Sequence, residues 1–110
     1  MQVKTITINV FNITGNRFCT SEEDGERVYT QIKKAMKSDL KVEISFQNVE
    51  SLTTHFLDEA IGRLYGDFTE SRMKESLSVK DIGMYNTLLL KRVISNAKSF
   101  FRRMKCEQKS

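Results

Sequence analysis

The chain has 110 residues, of which 39% are hydrophobic and 29% are charged, and its formal net charge is +4 at pH 7. This length fits one domain with its own core and no second lobe, so we expect a single domain over residues 1–110. The composition excludes intrinsic disorder, and no apolar run approaches the roughly 18–20 residues that cross a bilayer, so we expect a cytoplasmic protein that does not enter a membrane.

Two strands and a helix are predicted in the first third of the chain. Apolar and polar residues alternate over 5–11, which is typical of a strand with one polar face near a sheet edge. A turn at Gly15 and a short strand at 17–19 follow. Ser21 then caps a helix that runs to about Lys37. Its predicted buried stripe consists of Val28, Ile32, Ala35 and Met36.

The middle of the chain predicts a strand, a turn and a second helix. Residues 42–46 alternate with the period of a strand. Ser51, Thr53 and Thr54 then supply hydroxyl groups of the kind that cap helices, and Gly66 is well placed to end the helix. The apolar residues at helical spacing are Phe56, Leu57, Ala60, Ile61 and Leu64.

The last third predicts a strand and the longest helix. Residues 67–78 are polar, and the sequence leaves open whether they form a loop or a helical turn. A short strand over 78–82 precedes a helix over 84–104, with Asn86 as its cap. The predicted apolar face contains Tyr85, Leu89, Val93, Ala97, Phe100 and Met104. The order β(β)αβαβα predicts an α/β fold, with helices packed against a mixed, mostly parallel sheet of about four strands.

One segment resembles a known family. The run SFQNVESLTTHFLDEAIGRL, residues 45–64, is similar to the signature of the bacterial STAS-like domain family of unknown function. The similarity spans roughly residues 15–97. Two positions depart from the family pattern, since Ser45 replaces an Asp and Glu22 replaces an Arg. The matching residues in the central segment are Phe46, Val49, Glu50, Ser51, Phe56, Asp58, Glu59, Gly62 and Leu64.

The resemblance implies a regulatory role. STAS domains are binding modules, and in the anti-anti-sigma branch a partner kinase phosphorylates a Ser or Thr at the start of the equivalent helix, which abolishes partner binding. By position, Thr53 or Thr54 corresponds to that site, and the implied partner is a histidine-kinase-type ATPase. A phosphate adds nearly two negative charges at a helix start. The alternative is that these hydroxyl groups only cap the helix.

The residues indicate neither catalysis nor a bound cofactor. His55 is the only histidine, and no acidic residue is placed by a sequence motif to orient it. Cys19 and Cys106 lack the CxxC spacing of metal sites, so we expect no metal. Asp58 is expected to accept hydrogen bonds from backbone N–H groups in the first helical turn. We therefore expect a non-catalytic module that binds a protein partner through Thr53, Thr54, His55 and Asp58.

The basic last helix offers an alternative function. From residue 91 to the end, seven Lys and Arg residues occur against one acidic residue. Such a helix can bind nucleic acid, but an ordinary solvated amphipathic helix has the same pattern. The candidate nucleic-acid-binding residues are Lys91, Lys98, Arg102, Arg103 and Lys105.

Overall fold

In the computed structural model, which describes residues 4–108 and side chains as far as residue 105, parallel strands form two sheets. The larger sheet contains strands β1, β3 and β5 in that order, with bounds Thr5–Asn9, Lys41–Ser45 and Leu77–Lys80. The smaller sheet pairs β2 (Phe18–Cys19) with β4 (Ser51–Leu52). The expectation for Cys106 lies outside the described side chains.

Helical segments connect and cover these strands. They are α1 (Val10–Thr14), α2 (Glu22–Lys37), α3 (Thr54–Leu57), a π-helical segment (Asp58–Gly62), α4 (Leu64–Asp67), α5 (Glu70–Ser76) and α6 (Met84–Gln108). The predicted α/β class is confirmed. The strands differ in arrangement from the prediction, because they form sheets of three and two strands rather than one sheet of about four. No helix in the described range is long and apolar enough to cross a membrane.

The larger sheet has one apolar face and one polar face. Val42 and Ile44 of β3 are fully buried, and the register aligns them with apolar residues of both neighbouring strands. On the opposite face, Glu43 accepts a hydrogen bond from Thr7 Oγ1 at 3.3 Å and lies 3.0 Å from Lys80 Nζ. The helices bury the apolar face because the period-2 alternation places every second side chain of a strand there.

The predicted caps of the first two helices are confirmed, with Thr53 acting among the three candidates for the second. Ser21 Oγ accepts a hydrogen bond from the Asp24 N–H at 3.1 Å, and α2 ends at Lys37. Thr53 Oγ1 accepts a hydrogen bond from the Phe56 N–H at 3.1 Å. All the apolar residues predicted to face the core from these two helices are buried.

The predicted bounds of the first and last strands were wrong, and so was the predicted end of the second helix, because Gly66 lies inside α4, which ends at Asp67. The first strand ends at Asn9, because the Asn9 side chain caps α1 by accepting from the Asn12 N–H at 3.2 Å. Gly15, with φ of 68°, ends that helix in the left-handed conformation. The segment left open between 67 and 78 forms α5, which Thr69 caps. The last strand covers residues 77–80 instead of 78–82.

The buried face of α6 also differs from the prediction. Asn86 does not cap the helix; it lies inside α6, is buried, and donates from Nδ2 to the Glu50 carbonyl at 3.3 Å. Tyr85 and Phe100, predicted on the core face, are 72% and 55% exposed, and Met104 is exposed as well. The residues that face the core are Asn86, Leu90, Val93 and Ala97, with Phe101 partly buried beside them.

Candidate functional site

The start of α3 exposes one of two adjacent hydroxyl groups. Thr53 is half-buried, and its Oγ1 is occupied by the capping hydrogen bond to Phe56 N–H. Thr54 is exposed, and its hydroxyl makes no hydrogen bond to the described residues. Phe56 and Leu57 face the core, so this turn is anchored on one side and open to solvent on the other. The two threonines are therefore not equivalent.

His55 joins the start of α3 to the start of α2. Its Nε2 is hydrogen-bonded to Oε1 of Glu22, and both side chains are largely exposed. The close approach of the two helices depends on Gly25. A Cβ atom at that position would lie 2.8 Å from the Cβ of Glu59 and 2.9 Å from the carbonyl oxygen of Phe56. The absence of a side chain at Gly25 thus brings the two helix starts onto one surface.

Asp58 begins the π-helical segment, one turn after the helix start. Contrary to expectation, its side chain accepts no backbone hydrogen bond from the described residues, because α3 begins at Thr54 and the free N–H groups of the first turn lie before residue 58. Asp58 is exposed as a residue, but partial desolvation of its carboxyl raises its pKa, while the charge of nearby His55 lowers the pKa and that of Glu59 raises it. π-helical insertions are frequent at functional sites.

A shallow groove of about 310 Å³ adjoins Asp58 between the π-helical segment and α6. The exposed ring of Phe100 packs edge-to-face against Phe101 on its wall, with ring centroids 5.0 Å apart. On the opposite wall, Arg63 Nη1 lies 3.1 Å from Glu59 Oε2. The lining is completed by Gly62, Asn96 and Ala97. The helix start therefore continues into a partly apolar surface.

The described side chains do not assemble a catalytic group around His55. The hydrogen bond of its ring goes to Glu22, and within residues 4–105 no hydroxyl or thiol group forms a hydrogen bond with the ring. Burial raises the pKa of the Cys19 thiol, which is enclosed in the core, and a raised pKa keeps the thiol protonated. Over the same range, no three His, Cys, Asp or Glu side chains cluster as metal ligands do.

The basic residues of α6 differ in how accessible they are to a ligand. Lys91, Arg103 and Lys105 are exposed, whereas Lys98 is half-buried. Arg102 makes two hydrogen bonds to the carboxylate of Glu70, of which the Nε–Oε2 distance is 2.6 Å. This contact also lowers the pKa of Glu70.

Sequence reasoning missed two features of this surface. Glu22 is 33 residues from His55, so no local spacing connects them. The groove beside Asp58 depends on the orientation of α6, which periodicity alone placed differently.

The family comparison agrees with the fold and with the sequence resemblance. Residues 24–85 match the model of a family described as a STAS-like domain of unknown function (DUF4325). This range contains the whole helix start at 53–58, the π-helical segment and two strands of the larger sheet. Comparisons with curated proteins and with solved structures give no match.

Proposed function

This chain belongs to the STAS-like domain family of unknown function, and from that membership we propose that it is a non-catalytic, regulatory protein-interaction module. The observation that carries the proposal is the exposed helix start, where Thr54 and His55 reach solvent from a turn whose other side is fixed in the core. A rigid turn with exposed polar side chains binds a partner at a small cost in conformational entropy. We also propose a cytoplasmic location.

Thr54 is the residue proposed to switch binding. Its hydroxyl is exposed, whereas Thr53 uses its hydroxyl to cap α3. A phosphate on Thr54 places negative charge near Glu22 and Asp58, two carboxylates of the same surface. The added negative charge repels an acidic partner. It also weakens binding to any partner whose surface fits the uncharged threonine.

The proposed partner class is a histidine-kinase-type ATPase. This part of the proposal rests on the relationship to STAS domains. The surface supplies compatible chemistry, since the helix start offers polar contacts and the groove beside Asp58 offers apolar contact area. Interfaces commonly combine an apolar centre with a polar rim.

Affinity capture from the native host tests the proposal. Tagged wild-type protein is compared with Thr54→Glu, which imitates the added charge, and with Ser71→Glu, which adds the same charge at an exposed position of α5. We expect at least one protein to be enriched by the wild type and by Ser71→Glu but not by Thr54→Glu. If all three baits retain the same proteins, or if none retains any specific protein, the proposal is wrong.

Nucleic-acid binding is a second candidate function, favoured by one observation. Lys91, Lys98 and Lys105 recur every seven residues along α6, which places them on one stripe of the helix. Binding to phosphates through this stripe predicts an affinity that falls steeply as salt is raised. A mobility-shift assay with duplex DNA and with RNA at low salt tests this function, and the absence of any shift contradicts it.

A further inference from the structure

The outer edge of β5 has no partner strand within the described residues. β5 pairs with β3 on one side and lies at the end of the three-stranded sheet. The Lys80 carbonyl faces β3, because it accepts a hydrogen bond from the Phe46 N–H at 3.1 Å. Hydrogen-bonding groups of successive residues in a strand point to opposite sides, so the N–H and C=O of Val79 face outward. An edge of this kind is a template for another strand.

A groove of about 290 Å³ runs beside this edge. Its apolar lining comes from β5, from α5, from α6 and from the helical run before α5, namely Leu77, Val79, Met73, Leu90, Ile94, Ile61 and Tyr65. Leu77, Val79 and Ile94 pack against the core but remain only partly buried. The edge of β5 therefore lies beside an apolar groove. The side chains that an added strand turns toward the helices would cover this groove.

The rim of the groove carries positive charge. Lys74 and Lys98 both line it, and neither forms an ion pair with any side chain in residues 4–105. Glu70 also lines the groove, but its carboxylate is held by Arg102. An occupant with carboxylate groups is therefore complementary to this rim.

We propose that an extended segment of a protein partner adds to β5 as a further strand, and that the face it turns toward the groove carries both apolar and acidic side chains. Its main chain bonds to the N–H and C=O of Val79, its apolar side chains enter the groove, and its carboxylates meet Lys74 and Lys98. Strand addition of this kind takes affinity from main-chain hydrogen bonds and specificity from side-chain pockets. The site goes beyond the proposed function, because no residue of the helix start at 53–58 lines the groove.

Titration with a short, blocked peptide that carries glutamate, valine, valine and glutamate at alternate positions, with serine between them, tests the proposal because it presents both residue types on one face. The peptide is added to isotopically labelled protein, and the backbone amide signals are followed by NMR. We expect saturable binding that shifts the Val79 amide and protects it from hydrogen exchange. The same peptide with lysine in place of each glutamate is the control, and we expect it to bind at least about tenfold more weakly because Lys74 and Lys98 repel it.

Two variants separate strand addition from nonspecific contact. Val79→Pro removes the outward N–H, and proline is tolerated at an edge strand where that group faces solvent. We expect this variant to weaken peptide binding about tenfold. Lys98→Glu is expected to weaken it by a similar factor, whereas Lys34→Glu, which changes the net charge equally on α2, leaves it unchanged. If Val79→Pro does not fold, as judged by circular dichroism, Lys98→Glu decides.

Three outcomes overturn the proposal. The first is equal binding of the two peptides, or binding of neither. The second is unchanged peptide affinity in a folded Val79→Pro or in Lys98→Glu. The third is a shift of the Val79 amide that depends on protein concentration without peptide, which would assign the edge to a second copy of this chain. Each outcome leaves the helix-start proposal standing, because Thr54 and His55 lie outside the groove.

Discussion

Nε2 of His55, on the first turn of α3, is hydrogen-bonded to Oε1 of Glu22, the first residue of α2. The contact joins two helix starts that are distant in sequence. This hydrogen bond is exposed to solvent. Gly25 of α2 packs closely against Phe56 of α3 and Glu59 of the π-helical segment. The surface proposed to bind a partner is therefore built from two segments, and its geometry depends on residues that make no contact with the partner.

We expect replacement by alanine to reduce the free energy of unfolding at Thr53 but not at Thr54. Thr53→Ala removes the side chain that caps α3, and we expect a loss of about 1 kcal/mol in the free energy of unfolding. Thr54→Ala removes an exposed hydroxyl that holds nothing in place, and we expect a change within about 0.5 kcal/mol. Urea unfolding followed by circular dichroism measures both. An equal loss in the two variants would contradict the assignment of Thr53 as the cap.

A side chain at Gly25 is expected to destabilise the fold, because α2 packs closely against the next helical segments there. Gly25→Ala places a methyl group 2.8 Å from Glu59 Cβ, so the helices must separate, and we expect a destabilisation of about 1–3 kcal/mol. Gly83→Ala is the matched control, because a Cβ atom there meets nothing within 4 Å. We expect the control to stay within about 0.5 kcal/mol of the wild type in thermal unfolding. If Gly25→Ala is as stable as the control, the contact between α2 and α3 is looser than described.

Loss of the buried hydrogen bond of Asn86 is expected to lower the free energy of unfolding. Asn86→Ala leaves the Glu50 carbonyl without its side-chain donor, and we expect a destabilisation of about 1–2 kcal/mol. Asn96→Ala, at an exposed position of the same helix, is expected to change stability by less than about 0.5 kcal/mol. Chemical denaturation compares them. Equal stability of the two variants would show that the buried amide does not anchor α6 to the segment before β4.

The raised pKa of Asp58 predicts a pH-dependent gain in stability on substitution. A carboxyl group whose pKa is raised by folding favours the folded state most at pH values below its unfolded pKa, and this contribution is lost as pH rises through the folded pKa. Asp58→Asn removes the ionised form, so we expect it to be more stable than the wild type at neutral pH and to lose that advantage in acid. Urea unfolding across this pH range tests the sign.

A surface control accompanies that measurement. Glu75→Gln, at an exposed position of α5, is not expected to reproduce the gain at neutral pH. If Asp58→Asn gains no stability at neutral pH, or gains most in acid, burial does not dominate the environment of the Asp58 carboxyl.

Local signals predicted the helix starts well. A hydroxyl three residues before a free N–H, followed by apolar residues at helical spacing, is enough to place Ser21 and Thr53 and the buried sides of their helices. The π-helical segment at 58–62 gave no such signal, because its widened turn reflects packing against neighbouring helices. The helix α1 was missed although Asn9 and Gly15 supply local start and stop signals, because the alternation of residues 5–11 favoured a longer strand.

The last helix shows where periodicity fails. Val93 and Ala97 of the predicted apolar face are buried, but Tyr85 and Phe100 are exposed. The core accepts the polar residue Asn86 instead, because the Glu50 carbonyl satisfies its amide. A pattern of apolar residues cannot reveal a buried polar residue whose partner lies elsewhere in the chain. The Glu22–His55 contact escaped prediction in the same way, because it depends on tertiary packing.

The affinity of a captured partner for wild type and for Thr54→Glu tests the central claim most directly. The protein enriched by the wild-type bait is purified, and its binding to each variant is measured by isothermal titration calorimetry, with Ser71→Glu as the charge control. We predict that Thr54→Glu weakens binding at least about tenfold, and that Ser71→Glu binds like the wild type. Equal affinity of the wild type and Thr54→Glu would contradict recognition through this helix start.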